Sequence, residues 1–446
     1  MLWPFLLVPT AGTALHAATP LLLSFAATVA SGWLLLRLLD LVTDGAAARR
    51  PVAAAALAAV PLALLNWAAV AFTGMEHSAH IAATLAVSVG LVQASAGRSV
   101  PWWLVAGLVA GPLLRYEGLA VTVAGGAVLA WWGHRRVASL SVAGAVAPLA
   151  AFSLWAVASG LDPLPSSVLV KSAVASGAGQ AFDTVTGSLA VAFSHPAFAV
   201  LAAAVFGHLV VRREVTPLHL FALAVMGAHA VGGQFGWFYR YELYAYAAVV
   251  PVLAYLLRRP LRVTFESAHV GRAVVATVAL TLAVAGPYLR AVTETPGASA
   301  NIALQQAQMA RFVSDYWQQP VAVNDLGLVA YQGGEYVLDL WGLASQEARE
   351  ARLAGSGNAW MAQMADEHDV SLAMVYTNWA WFPVLPESWE RVGVLTLDVP
   401  PVTVGLPEVT FLATSERDAE RLRDELESFA GTLPVGTHLT LTDPPA

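Results

Sequence analysis

The chain has no cysteine and one lysine, Lys171, among its 446 residues. Without cysteine there is no disulfide framework and no thiolate metal site. Any compartment tolerates such a chain, so the absence says little about location. Charge is scarce as well: 12% of residues are charged, about half the share in a soluble domain. With 57% hydrophobic residues and a mean hydropathy of +0.62, the composition indicates a polytopic membrane protein. The net charge of -7 misleads as a whole-chain value. Acidic residues crowd the last third, while most arginines fall in short loops between apolar segments.

Apolar segments of helix-compatible length fall near 20–41, 51–72, 78–95, 100–115, 117–132, 137–159, 195–211, 216–233, 241–257 and 269–289. The run 101–132 holds charge only at Arg115-Tyr116-Glu117-Gly118. An ion pair inside such a run is costly and usually marks a substrate path. Loop charge resolves its place. Arg49/Arg50, Arg98, Arg135/Arg136, Arg212/Arg213 and Arg258/Arg259/Arg262 should share the cytoplasmic side. Arg98 and Arg135 do so only if 100–132 crosses twice, which puts Arg115–Gly118 in a turn at the outer face. The expected architecture is an α-helical polytopic domain, 1–294, of about ten spans, followed by an extracytoplasmic soluble α/β domain, 295–446. In the latter, 301–317 and Ser415–Ala430 read as helices. The stretches 320–323, 336–338, 372–376, 392–397 and 409–413 read as short buried strands. Ser415 followed by Asp418 reads as a helix cap.

This orientation gathers the unusual polar residues on one side: Glu76, His77 and His80; Arg115 and Glu117; Asp162, Lys171 and Asp183; and Arg240 with Glu242 inside an aromatic stretch from Phe235. Cations beside carboxylates at an outer interface suit a lipid phosphate, held by charge-assisted hydrogen bonds. A carboxylate there can serve as general base. Each residue also has a plainer reading. Glu76 can favour a helix start through the dipole, and Arg115–Glu117 can be a structural pair. Lys171 can snorkel, and Tyr239 with Arg240 can belong to the interfacial belt. His77 and His80, three apart, can pack rather than bind metal. Asp325 and Asp339 read as turn residues.

Five short stretches carry a family resemblance. They are Thr73-Gly74-Met75-Glu76, Leu114-Arg115-Tyr116-Glu117-Gly118, Pro165 through Lys171, Tyr239-Arg240-Tyr241-Glu242, and Val323 to Gly327 through Asp339 to Leu343. In that order they resemble the GT-C superfamily of bacterial integral membrane glycosyltransferases, arabinofuranosyltransferase- and mannosyltransferase-like members included. The resemblance implies an inverting sugar transfer from a polyprenyl-phosphate donor to an envelope glycan or lipid acceptor, at the outer face of the inner membrane. In the family an acidic first outer loop, not found in this sequence, is taken to supply the base, so Glu76 or Glu117 would have to serve as the catalytic carboxylate. Arg115, Lys171, Tyr239, Arg240 and His77 are the expected substrate-binding residues. No cofactor, resident metal or nucleic-acid partner is implied, with a divalent cation left open. Family members usually begin with a further span and an acidic first outer loop, so the resemblance leads us to expect an N-terminally truncated sequence. The alternatives are a lipid or ion transporter or flippase, or a catalytically inactive envelope-assembly protein.

Overall fold

The computed structural model describes residues 2–166, 181–355, 357–378 and 384–442. Its contacts divide the chain into two units, Met1–Trp155 with Lys171–Thr293, and Ala156–Val170 with Glu294–Ala446. The first unit is helical: α1 (Leu2–Leu7), α2 (Thr19–Val42), α3 (Pro51–Leu64), α4 (His77–Ser95), α5 (Trp102–Leu114), α6 (Gly118–Trp131), α7 (Arg135–Ala158), α8 (Ala181–Ser194), α9 (Pro196–Arg212), α10 (Pro217–Gly232), α11 (Leu243–Leu256), α12 (Arg258–Glu266) and α13 (Val270–Val284). Helix α14 (Gly286–Leu304) leaves it for the second unit.

Local chemistry sets the helix starts. Proline opens α3, α9 and α10, where its missing N–H costs nothing and its φ is already helical. Thr216 closes a capping box with His219 on α10. Three helices, α2, α4 and α7, are long and apolar enough to cross a membrane. Two further bent pairs pass the same test if each is counted as one span. The described residues thus hold three to five candidate spans, where about ten are expected from apolar segments alone. The difference is one of length. Helices α3, α5, α6, α10 and α11 are apolar but short: α3 stops at Leu64, before Asn66 with its positive φ and inside the expected segment 51–72, while the other four fill expected segments that are themselves short.

Helix α4 is the centre of this unit. It is buried on nearly all faces, packed by α2, α5 and α11. The outer helices show the reverse pattern. On α2, Leu22, Val29 and Trp33 are exposed, and on α7 so are Leu140, Leu154 and Trp155. Apolar residues turned outward in this number need an apolar surrounding.

The second unit is built on a six-stranded sheet in the order β2-β1-β3-β5-β4-β6. The strands are β1 (Val321–Val323), β2 (Val337–Asp339), β3 (Leu372–Val375), β4 (Glu390–Leu397), β5 (Glu408–Ala413) and β6 (Thr437–Leu441). β1 runs parallel to β2 and β3, and the remaining pairs are antiparallel. Alternate residues enter opposite cores. Val321, Val323, Leu372 and Met374 join Phe312, Trp317, Leu422, Leu426 and Phe429 on one face. Ala322, Ala373 and Val375 join Met361, Met364 and Trp360 on the other. Helices therefore cover both faces, which is why the central strands read as unbroken apolar runs.

Five of these strands fall on the expected stretches. β6 was not expected, and neither were the short helices Gly327–Gln332, Gln346–Leu353 and Ala359–Glu367. Ser415 occupies the N-cap of the helix Glu416–Ala430. It is not the expected cap, because its hydroxyl donates to Asp418 Oδ2 at 2.6 Å instead of accepting a backbone N–H. The segment Ala156–Val170, read above as the end of a span and a loop, clusters with this unit. The reason is Arg349, nearly fully buried, which binds Asp162 and donates to Ser166 Oγ at 2.6 Å.

Asp339 is a turn residue, as read: its carboxylate accepts from the amides of Trp341 and Ala344 at 2.9 and 2.7 Å. Asp325 is not. Its Oδ2 accepts from Gln306 Nε2 at 3.1 Å and lies 3.3 Å from the Tyr376 hydroxyl. Burial pushes the Asp325 carboxyl above the usual range; the Tyr376 hydrogen bond opposes this and Asp339 adds to it. The folded state thus binds the proton more tightly than the unfolded one. This contribution to stability is fully present below the unfolded carboxyl value and is lost as pH rises through the raised one. At neutral pH, Asp325→Asn is expected to slow amide exchange in β1 and β3 of the full chain. The gap from wild type should close on acidification. A gap that widens as pH falls would contradict this sign.

Candidate functional site

Three helices of the first unit begin at a glutamate: α4 after Glu76, α6 after Glu117 and α11 after Glu242. None of these side chains caps its own helix. The favourable dipole at each start remains, but the carboxylates are turned to other partners. Glu76 and Glu117 both reach Arg115, which ends α5 in an extended conformation with φ -146°. Arg115 Nη1 donates to Glu76 Oε1 at 2.6 Å, and Nη2 donates to Glu117 Oε1 at 2.6 Å. Nη1 also lies 3.0 Å from His77 Nε2. Side-chain exposure falls from 32% for Glu117 to 17% for Glu76 and 12% for Arg115. The cluster therefore opens on the Glu117 side.

The α5–α6 turn that carries this cluster is made possible by Gly118. A Cβ at that position would come within 2.6 Å of Pro112 N and closer still to the Gly111 carbonyl carbon. Only glycine lets the two helix backbones meet there.

Tyr241 joins the second cation to the first. The Arg115 guanidinium lies 5.4 Å from its ring centroid and that of Arg240 lies 5.0 Å away. Arg240 Nη2 also donates to the Tyr241 hydroxyl at 3.3 Å, and the His77 ring is 5.7 Å from the Tyr241 ring. Beneath them, Glu242 is fully buried. The Tyr288 hydroxyl donates to its Oε1 at 3.0 Å and lies 2.6 Å from the Tyr246 hydroxyl. Tyr239 packs edge-on against Tyr288, with centroids 5.4 Å apart. His80 stacks on Tyr244 at 4.9 Å, and the Tyr244 hydroxyl is 3.3 Å from His229 Nδ1.

The stretch before Arg240 has unusual backbone. Gly236, Trp237, Phe238 and Tyr239 all have positive φ: 90°, 47°, 65° and 48°. Such values suit glycine and strain aromatic residues. Fully buried Asn66 ties this turn down through Nδ2, which donates to Phe238 O at 2.7 Å.

The structure thus brings together Glu76, His77, Arg115, Glu117, Tyr239 and Arg240 from three separate stretches. Lys171 lies outside the described residues. Asp162 is occupied by Arg349 in the second unit. His77 and His80 have no third ligand beside them: among the described residues no three His, Asp or Glu side chains converge as a metal site. Sequence reasoning missed Asn66, Tyr246 and Tyr288. The run Tyr244-Ala245-Tyr246 inside an apolar helix is a visible sign of the second, whereas nothing local marks Asn66 or Tyr288.

Chemically, the cluster is a guanidinium held between two carboxylates at converging helix N-termini, with a second guanidinium across a shared aromatic ring. Helix N-termini favour anions. An incoming phosphate would compete with the carboxylates for Arg115.

No curated protein and no solved structure matches the chain. Residues 300–415, in the second unit, match the family described as a domain of unknown function, DUF8728.

Proposed function

We propose that the protein is an integral membrane glycosyltransferase of GT-C type, taking its sugar from a polyprenyl-phosphate donor. The site lies at the outer face of a bacterial inner membrane, and the shorter apolar helices complete the membrane domain by packing against the longer ones. The observation that carries this reading is Arg115, clamped between Glu76 and Glu117 and coupled through Tyr241 to Arg240.

In this reading the donor phosphate takes Arg115 and Arg240, which releases a carboxylate from its ion pair. Glu117, the more exposed of the two, is the one freed to act as general base. The acceptor hydroxyl oxygen forms a bond to the anomeric carbon as the bond from that carbon to the phosphate oxygen breaks. The hydroxyl proton passes to the carboxylate, and polyprenyl phosphate leaves with the electron pair. Tyr239 and exposed Trp237 offer the aromatic faces on which a sugar ring stacks.

The test is transfer from a radiolabelled polyprenyl-phosphate sugar by the purified chain. Glu117→Gln should lower turnover by about two orders of magnitude, the scale of a lost general base, with donor binding kept. Glu76→Gln should weaken donor binding less than Arg115→Ala does. Full turnover in both glutamine variants would overturn the role of the carboxylates, and no turnover by the wild type with any such donor would overturn the reading.

A second reading, proton-coupled transport, is favoured by the buried relay Glu242–Tyr288–Tyr246. Proton uptake by proteoliposomes that Glu242→Gln abolishes, without any glycosylated product, would select it.

A further inference from the structure

Away from this site, α12 separates its charges from its apolar residues. Arg258, Arg259, Arg262 and Glu266 share it with Leu261 and Phe265. Its apolar face closes a cleft of about 240 Å³ against α3 and α13, lined among others by Leu57, Leu261, Phe265, Ala273, Val274 and Thr277. The lining is almost wholly hydrocarbon, with the Thr264 and Thr277 side chains as its polar members.

The cleft is bordered by cations. Lining positions 257, 260, 261, 264 and 265 alternate along α12 with Arg258, Arg259 and Arg262, and Arg272 directly precedes the lining residue Ala273. Two carboxylates are already engaged. Arg262 donates to Asp44 Oδ2 at 2.7 Å and to Glu266 Oε1 at 3.0 Å, and Arg49 stands 4.0 Å from Glu266. Exposed Arg50, Arg259 and Arg272 have no ion pair among the described residues. An apolar slot beside unpaired guanidinium groups is complementary to one molecule class, an amphiphile with an anionic head.

We propose that this cleft binds an anionic phospholipid, one acyl chain lying between α3, α12 and α13 and the phosphate taken by Arg259 and Arg272. The occupant follows from the net charge: a zwitterionic lipid also offers a phosphate, but its own cation opposes the arginines, so only a head of net negative charge is favoured by all of them. A helix of this amphipathic kind lies in the plane of a membrane surface, arginines toward the headgroups. The site is separate from the Arg115 cluster and does not depend on sugar transfer. It rests only on the membrane placement that the transferase reading also uses.

Native mass spectrometry of the detergent-solubilised full chain, given equimolar phosphatidylglycerol and phosphatidylcholine, tests this. The wild type should retain phosphatidylglycerol preferentially, by about five-fold for each arginine engaged. Arg259→Gln with Arg272→Gln should erase the preference, and Ala273→Trp should displace the bound lipid by filling the slot. Equal retention of both lipids by the wild type overturns the proposal, as does a preference unchanged in the arginine variant. That variant alters exposed residues, so it decides the matter even where Ala273→Trp fails to fold. A dimer that Ala273→Trp dissociates would instead assign the cleft to a second copy of the chain. Failure of the wild type to float with vesicles of either lipid would overturn the membrane placement itself, whereas flotation without lipid preference overturns the lipid site alone.

Discussion

Under the proposed transferase function, Arg115→Ala is expected to lose sugar transfer by more than about a hundred-fold, and in any case to destabilise the first unit by about 3–5 kcal/mol, the cost of removing one partner of a buried ion pair. Two carboxylates 2.6 Å from the same guanidinium would be left facing each other with no cation between them. The two losses separate by design. Adding Glu76→Gln and Glu117→Gln to Arg115→Ala removes the stranded charges, so thermal stability in detergent should recover while transfer does not. Additive effects of the three substitutions would show that the residues are not coupled. Arg115→Lys is the second control. A single ammonium cannot place separate donors on both carboxylates as the guanidinium fork does, so it should restore part of the stability and little of the activity.

The other large effect is expected at Gly118. Gly118→Val drives a side chain into the backbone of Gly111 and Pro112, and neither can move as a rotamer would. The α5–α6 pair must open, at a cost of about 1–3 kcal/mol for overpacking and more if the turn breaks. Because Arg115 and Glu117 flank that turn, transfer should fall with stability, by about a hundred-fold for a displacement near 1 Å. The matched control is Gly111→Ala, whose new methyl meets nothing within 4 Å and improves helix propensity by up to about 1 kcal/mol. Wild-type melting temperature and transfer in Gly118→Val would show that the helices do not meet as closely as described.

Hydropathy made the helix positions legible, and a charge in an apolar run made the α5–α6 turn legible. Those signals are local. The length of α3 was not, since it ends before Asn66 through backbone geometry that a hydropathy window averages away. The strands β1, β3 and β5 were readable because burial on both faces demands continuous apolar residues. β6 was not, because its exposed face carries His438 and Thr440. Long-range partners were least visible of all. Arg349 finds Asp162 across 187 positions, and Asn66 finds Phe238 across 172. The gathering of Glu76, Arg115, Glu117 and Arg240 came from assigning loops to one side, a constraint that acts on whole segments and so reaches across the sequence.

The left-handed turn from Gly236 to Tyr239 says something about what that stretch is selected to do. Its backbone would be satisfied at less cost by glycine at three positions, where Trp237, Phe238 and Tyr239 now stand at about 1–2 kcal/mol each. A chain that keeps three large rings in mirror-hand geometry does so for the direction in which the rings point. Glycine at Trp237 should therefore yield a sturdier protein with a poorer grip on its ligand, and a screen for stability alone would remove the residues that the site needs most.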